Sequence, residues 1–396
     1  MSHSNRREFI QHSTLAGIAM STAVTCQAAT KEKYRVGIIG CTGKGDYGHG
    51  LDKVWAGVAR TEVVAVADEN QAGLEAAKKT TGAKRGYDDY REMLAKEELD
   101  IVAVAPRMDL HRDMVLACAE HGRHVYMEKP FVQDLEQADD VVRACEKKRL
   151  KLSIAHTNRF SPIRLMCKKL VEDGEIGEIL EIRSRGKEDS RRGGGEDLWV
   201  LGTHMFDMMR TFVGDVASCY AVVKEKGHRV TKADVQNHPA IGPLAGDWVQ
   251  ATYEFEKNGV VGYFGSRRNA AANPTRFGMQ IFGTKGVIEM QSGFLKPAYI
   301  LKDPTWSPGQ TNSHWIPISS AGIGKPEPRS DVNSYGHEAG ILDLIEAIET
   351  DRQPISSVYD ARASVEMVVS CFESHRVGKP VEFPLRNRKN PLGMLA

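Results

Sequence analysis

Three groups of residues in this 396-residue chain have the types and spacing to do chemistry. The first is a cation, Lys129, inside Glu128-Lys129-Pro130, directly after the short apolar segment His124–Tyr126. A cation leaving the carboxyl end of a parallel strand stands where open α/β sheets bind ligands. The second is His204 with Asp207. Three residues apart, they share a helix face, and an imidazole that titrates near neutral pH beside a carboxylate can take a proton from a hydroxyl. The third is the glycine cluster of Tyr34–Gly50, YRVGIIGCTGKGDYGHG. Arg35–Ile39 reads as a buried strand rich in β-branched residues, and glycines straight after a strand let backbone N–H groups approach a pyrophosphate. Gly43, Gly45 and Gly48 spell G-x-G-x-x-G, but the first glycine after the strand is Gly40, so the loop is about three residues longer than the usual fingerprint. The next strand, Glu62–Asp68, ends in a carboxylate placed to accept from the hydroxyls of an adenosine ribose and to repel a 2′-phosphate. That favours NAD over NADP.

The pattern around these residues supplies their frame. Helix-like Gln71–Thr80 and Tyr90–Lys96, apolar strand Leu99–Ala105, helix His111–Glu120, strand His124–Tyr126, helix Leu135–Lys147 and strand Lys151–Ala155 alternate with short connections, the doubly wound pattern of a Rossmann domain. An amphipathic stretch at Leu51–Val58 joins the first two strands, and Gly86–Tyr90 reads as a turn. After His156 the strands lengthen and alternate: Ile179–Ser184, Cys219–Lys224, Trp248–Phe255, Val260–Ser266, Arg276–Phe282 and Val287–Gln291. They predict an α/β domain on an open, largely antiparallel sheet. Helix Leu201–Phe212 carries His204 and Asp207. Arg191–Gly195 (RRGGG) reads as a flexible hinge or loop, Asp303–Ser330 as a long irregular loop, and Glu338–Glu349 and Arg362–Arg376 as the closing helices. The expected organisation is a leader over 1–29, a dinucleotide-binding domain over 33–156 and a second α/β domain over 157–396.

The 53 Lys and Arg against 52 Asp and Glu, with no basic run, give no indication of a nucleic-acid or acidic-membrane partner. Nothing after the leader approaches the roughly 20 apolar residues of a membrane span. Seven cysteines without a C-x-x-C pair give neither a metal site nor a disulfide framework. At the front, Arg6-Arg7 with Phe9, a mild apolar run over Ser13–Thr25 and small residues up to Ala29 resemble a bacterial twin-arginine signal. The expectation is export of the folded protein to the periplasm; without such a signal the chain stays cytoplasmic.

Together VGIIG with its loop, VVAVAD, DIVAVAP followed by His111, Glu128-Lys129-Pro130, Asn158-Arg159-Phe160, GTHMFD (Gly202–Asp207), IFGTKGVIEM and ESHRVGKPVEFP resemble the glucose–fructose oxidoreductase/inositol dehydrogenase (Gfo/Idh/MocA) family, in family order over nearly the whole chain after the leader. The resemblance implies an NAD(P)-dependent oxidoreductase acting on a carbohydrate or cyclitol, with Gly40, Gly43, Gly45, Gly48, Asp68, Pro106, His111, Glu128 and Lys129 around the cofactor. Lys129 would donate to the reacting oxygen, His204 would be the base or its partner, and the open sheet would pair copies into a homo-oligomer. Asn158 and Arg159 are candidate substrate contacts; Arg267-Arg268 and Tyr335 to His337 read rather as solvated faces. The family's dehydrogenases carry an aspartate four residues before the histidine, where this chain has Val200; Asp197 or Glu196 could reach the same place. Export adds a constraint, because the periplasm has no nicotinamide pool. The cofactor should stay bound through redox-neutral cycles: either paired oxidation and reduction of two carbonyl compounds, or transient oxidation within one substrate, as in a nicotinamide-dependent glycosidase or epimerase. A catalytically idle sugar- or nucleotide-binding protein is the third reading.

Overall fold

The computed structural model describes residues 31–256, 259–293, 296–329 and 335–396; the leader reading falls outside them. Six strands, β1 (Tyr34–Ile39), β2 (Thr61–Ala67), β3 (Arg85–Tyr87), β4 (Ile101–Val104), β5 (His124–Met127) and β6 (Leu152–Ile154), form one wholly parallel sheet in the order β3-β2-β1-β4-β5-β6. This is the Rossmann order, which places the switch point between β1 and β4 and makes the carboxyl edge there the ligand side. Val36, Ile38, Ile101, Val102 and Val104 are fully buried, as expected of strands covered on both faces. The predicted turn at 86–90 begins as β3, an edge strand paired with Ala65–Ala67.

The connection from β1 to β2 departs from expectation. Residues 51–58 hold only a four-residue 3-10 helix, Val54–Gly57, where dinucleotide folds place an α-helix. The uncovered face of the sheet is filled from the far end of the sequence. Helix Tyr335–Glu349 lays Ile341, Leu344 and Ile345 against Tyr34, Val36, Ile38, Val54 and Trp55, each burial contributing about 1.5–3 kcal/mol.

The second sheet is mixed. Strands Ile316–Ser319, Ala298–Leu301, Gly286–Gln291, Gly278–Gly283, Ile179–Arg185, Val261–Arg267, Trp248–Phe255 and Val216–Glu225 lie side by side in that order. Every pairing among them is antiparallel except Ile179–Arg185 with Val261–Arg267. Ala298–Leu301 and Ile316–Ser319 went unread because the Pro- and Gly-rich composition around them masks a four-residue alternation; the second lies inside the segment expected to be irregular. Helices Val358–Val377 and Thr203–Val213 cover one face. The other face bears Tyr220 and Tyr263, 43% and 39% exposed, in a groove of about 740 Å³. No helix among the described residues is long and apolar enough to cross a membrane.

Of the two readings of the RRGGG segment, the structure has the loop, and it is held fast rather than hinged. A side chain at Gly193 would strike the Arg268 backbone at 2.1 Å, and one at Gly195 the Ala245 carbonyl at 2.2 Å. The Arg268 guanidinium donates to the carbonyls of Ser190, Arg191 and Gly193. Glycine here serves close backbone approach, and Arg268 is a clamp on this loop. Its neighbour Arg267 stacks on Trp248, 4.8 Å from the ring centroid.

Candidate active site

The glycine loop is tied down at three points. Gly45 (φ +96°) lies so close to Pro106 and Arg107 that a Cβ would sit 2.6 Å from the Arg107 nitrogen, and Arg107 N–H donates to the Lys44 carbonyl at 2.9 Å. Gly48 (φ +59°) lies on Glu128, whose Cγ a Cβ would meet at 2.4 Å. At Gly40 a Cβ would meet the Tyr47 ring at 2.3 Å. At Gly40, Gly45 and Gly48 a side chain would strike neighbouring protein, and Gly43 alone of the four faces open space. Asp68 is buried and accepts from Thr42 N–H (3.2 Å), Thr42 Oγ1 (2.7 Å) and Asn70 N–H (2.9 Å). It borders a cavity of about 350 Å³ lined also by Gly40, Lys44, Glu69, Asp89 and Tyr90. A carboxylate has about four acceptor sites, so Asp68 anchors the loop and keeps capacity for a ribose hydroxyl. The residues fit the adenosine half of a dinucleotide.

Glu128 and Lys129 leave the carboxyl end of β5. The buried Glu128 carboxylate accepts from the His49 N–H and contacts its Nδ1, both at 3.0 Å, and also accepts from the Lys129 N–H at 3.0 Å. Burial acts to raise its pKa; the His49 bonds and the charges of His49 and Lys129 outweigh this and hold the carboxyl far below the usual range. Lys129 precedes a cis proline, and its Nζ donates to the Val200 carbonyl at 3.3 Å. Burial pulls the Lys129 pKa down, Glu128 opposing and Arg192 adding to the fall. His111 takes a different place from the one expected. It is fully buried, with Nε2 on the Pro106 carbonyl (2.8 Å) and Nδ1 on those of Pro130 and Phe131 (both 2.9 Å). It braces the exits of β4 and β5 and has no ring nitrogen left for a nucleotide.

A π turn, Leu198–Gly202, leads into helix Thr203–Val213; such turns concentrate at functional sites. It presents the Val200 carbonyl to Lys129 and leads into the helix that carries His204 in its first turn. Burial first, then Lys129 and His156, push the His204 pKa well below its ordinary value, so its imidazole is neutral. Its Nδ1 has no partner among the described residues.

Asp207 is not the direct partner of His204. Its carboxylate accepts from Arg159 Nε (2.9 Å) and Nη2 (2.7 Å), and its Oδ1 lies 3.1 Å from His156 Nδ1. Burial would raise its pKa; Arg159 and His156 hold it well below the usual range. Arg159 also binds Asp360 (2.9 Å) and the Ile355 carbonyl (2.6 Å), so it locks the helix rather than facing a ligand. Arg159→Met is expected to cost about 3–5 kcal/mol of stability, because it strands a buried carboxylate. Urea unfolding measures this, and a loss under about 1 kcal/mol would mean that Asp207 is satisfied without the guanidinium.

Asn158 donates weakly to Ser292 Oγ (3.5 Å). Asp197 is fully buried beneath Gly186 and accepts from Ser266 Oγ (2.5 Å) and Glu188 N–H (3.2 Å). Burial pushes its pKa up to about 6. It belongs to the sheet side of the π turn and does not replace a carboxylate at position 200. His337 meets Tyr126 Oη at 3.0 Å. Sequence reasoning missed His156, fully buried between Asp207 and Thr203 Oγ1 (3.3 Å), with its ring 6.0 Å from that of His204. It follows β6 as Lys129 follows β5, and the strand-exit rule that singled out the lysine applies equally to it.

This fold and this arrangement define a dinucleotide-binding oxidoreductase framework, and comparison with known proteins agrees. Residues 34–156 match the model of the oxidoreductase family NAD-binding Rossmann fold, and 168–383 its C-terminal alpha/beta domain. The chain belongs to the Gfo/Idh/MocA oxidoreductase family. It is 27% identical over 253 residues to the levoglucosan dehydrogenase of Pseudarthrobacter phenanthrenivorans, covering 56% of this chain and 63% of that one. With the D-apiose dehydrogenase of Paraburkholderia graminis it is 27% identical over 221 residues, 54% and 58% of the two chains. The chain thus spans about six tenths of these relatives' length. The scyllo-inositol 2-dehydrogenase (NAD(+)) of Bacillus subtilis aligns over 90% of this chain and 98% of its own, at 22% identity. Among solved structures, levoglucosan dehydrogenase in complex with NADH and levoglucosan superposes with a TM-score of 0.74 at 21% identity, covering 89% of this chain and all of that one. The aldose-aldose oxidoreductase of Caulobacter crescentus gives 0.69 at 18%, with 89% and 100% covered. These last two likenesses show the fold.

Proposed function

We propose that the protein transfers a hydride between a carbohydrate or cyclitol carbon and NAD, with Lys129 at the reacting oxygen and His204 as the proton acceptor. The observation that carries this is the buried Lys129 amine at the carboxyl edge of the Rossmann sheet, beside a neutral histidine. Bound NAD would accept and return the hydride. Lys129 would donate to the substrate oxygen and stabilise the charge developing there. His204 would take the hydroxyl proton, being neutral already. The buried Asp207–Arg159–Asp360 network would fix the helix on which His204 rides, and Glu128 would hold the glycine loop against the lysine strand. The curated relatives' names, levoglucosan, D-apiose and scyllo-inositol dehydrogenases, support the substrate class.

The finer reading is an exported protein with a captive cofactor, associated into homo-oligomers through the open sheet face. Protein purified without added nucleotide is expected to release about one NAD(H) per chain on denaturation, read by chromatography of the supernatant; nucleotide-free protein would end the captive-cofactor reading. A second reading, redox-neutral glycoside cleavage or epimerisation, is favoured by one observation: an uncharged Val200 presents only its backbone carbonyl to Lys129. Release of sugar from a glycoside without net nicotinamide reduction distinguishes it. Ligand binding with neither reaction would leave the idle binding protein.

A further inference from the structure

We propose that His156 is a positioning residue, which holds the His204 imidazole in the orientation that accepts the substrate proton. This rests on the reading of His204 as the proton acceptor argued above.

A general base needs a third group to orient its ring. The Nδ1 of His204 is enclosed and has no hydrogen-bond partner among the described residues. Asp207, the carboxylate on its own helix, is engaged by Arg159 and His156. What meets the His204 ring is another ring. His156 stands edge-to-face against it, with centroids 6.0 Å apart and planes at 65°, an arrangement that aromatic pairs prefer.

His156 is itself fixed at both ends. Its Nδ1 lies 3.1 Å from Asp207 Oδ1, and its Nε2 lies 3.3 Å from Thr203 Oγ1. Thr203 and Asp207 are four residues apart and share a helix face, so the two contacts bracket His204. The backbone is held as well. The His156 N–H donates to the Ile154 carbonyl at 2.7 Å, and its own carbonyl accepts from the Arg159 N–H at 3.0 Å. Arg159, on the same short turn, ties Asp207 to Asp360 of helix Val358–Val377. The exit of β6 thereby grips the helix at Thr203, His204 and Asp207 through one fully buried ring. A flat ring with a polar atom at each end makes all three contacts; phenylalanine or glutamine makes part of them.

The charged and titratable groups that face His204 are Lys129 and Glu128 from the exit of β5, His156 from that of β6, and Asp207 on its own helix. Lys129 and His156 act against its protonation, while Asp207 and Glu128 favour it. Removing the His156 imidazole should therefore move the protonation of His204 to higher pH.

The test is steady-state kinetics over pH with levoglucosan, D-apiose and scyllo-inositol, for NAD-loaded wild type, His156→Gln, His204→Gln and the double variant. His156→Gln is expected to lower kcat by about 10- to 100-fold, the cost of a misplaced reacting group, with KM within about threefold. Its acid limb should move up towards pH about 6.5. In the His204→Gln background the same substitution should cost nothing further, because His156 acts through His204. A kcat within about twofold of wild type, an unmoved acid limb, or losses that add in the double variant would overturn the proposal. Should His156→Gln show no cooperative urea transition, Thr203→Val decides: it removes the Nε2 contact at nearly constant shape, and an unchanged kcat would overturn the proposal equally. Unchanged turnover in His204→Gln would instead bring down the reading of His204 as base. The ring is also followed without turnover, by NMR of protein labelled with ¹⁵N-histidine, the His204 signal being the one lost in His204→Gln. Its titration midpoint should rise in His156→Gln, and an unmoved midpoint would overturn the proposal even if none of the three polyols is oxidised.

Discussion

Lys129→Met is expected to lower kcat by about 10²–10³-fold, the cost of removing one donor from a developing oxyanion. The substitution keeps length and apolar bulk in a space that is already desolvated, and the lost contact with the Val200 carbonyl is a single 3.3 Å bond. Folding and nucleotide content should therefore hold. The Glu128 anchor is untouched, since His49 and the Lys129 backbone amide satisfy it without the side chain. The loss should fall on kcat far more than on KM, because the ammonium meets the reacting oxygen most strongly when charge develops. Steady-state kinetics with matched nucleotide content checks this. A kcat within about threefold of wild type would remove Lys129 from the chemistry.

His204→Gln should cost about 10²–10⁴ in turnover, the range for a positioned general base. The pH profile tests the same residue independently. A base acts only when neutral, and burial with Lys129 and His156 lowers the pKa of His204. Activity should therefore be flat through neutrality and fall only well below pH about 6.5, the ordinary imidazole value. In His204→Gln that acid limb should vanish. An acid limb at or above the ordinary value, or unchanged turnover in the variant, would contradict the assignment.

The sequence shows these parts unequally. VGII, VVAVA and IVAV are legible as parallel strands because both faces are covered, leaving no polar alternation. Lys129 is legible for the same reason, as the first cation beyond such a strand. The partner of Asp207 is not. Helical spacing says only that Asp207 and His204 share a face, whereas His156 and Arg159 arrive from the exit of β6, about 50 residues earlier in the chain. The missing α-helix after β1 has a similar cause, since its place is filled by Ile341, Leu344 and Ile345 from nearly 300 residues away. Composition also misleads at Gly193–Gly195, where three glycines suggest freedom but serve tight backbone contact with Arg268 and Ala245–Asp247. At Gly45 and Gly48 the fingerprint spacing is real, but its small residues seat the loop on Arg107 and Glu128.

The most direct measurement follows the hydrogen itself. Holoenzyme carrying unlabelled NAD is mixed, in a single turnover, with a sugar or cyclitol deuterated at its carbinol carbons, and the released cofactor is analysed by mass spectrometry. Direct transfer across the Lys129 site predicts one deuterium on the nicotinamide ring, with Lys129→Met slowing its appearance by the factor given above. Turnover that leaves the cofactor unlabelled, with the deuterium lost to water, would contradict hydride transfer at this site.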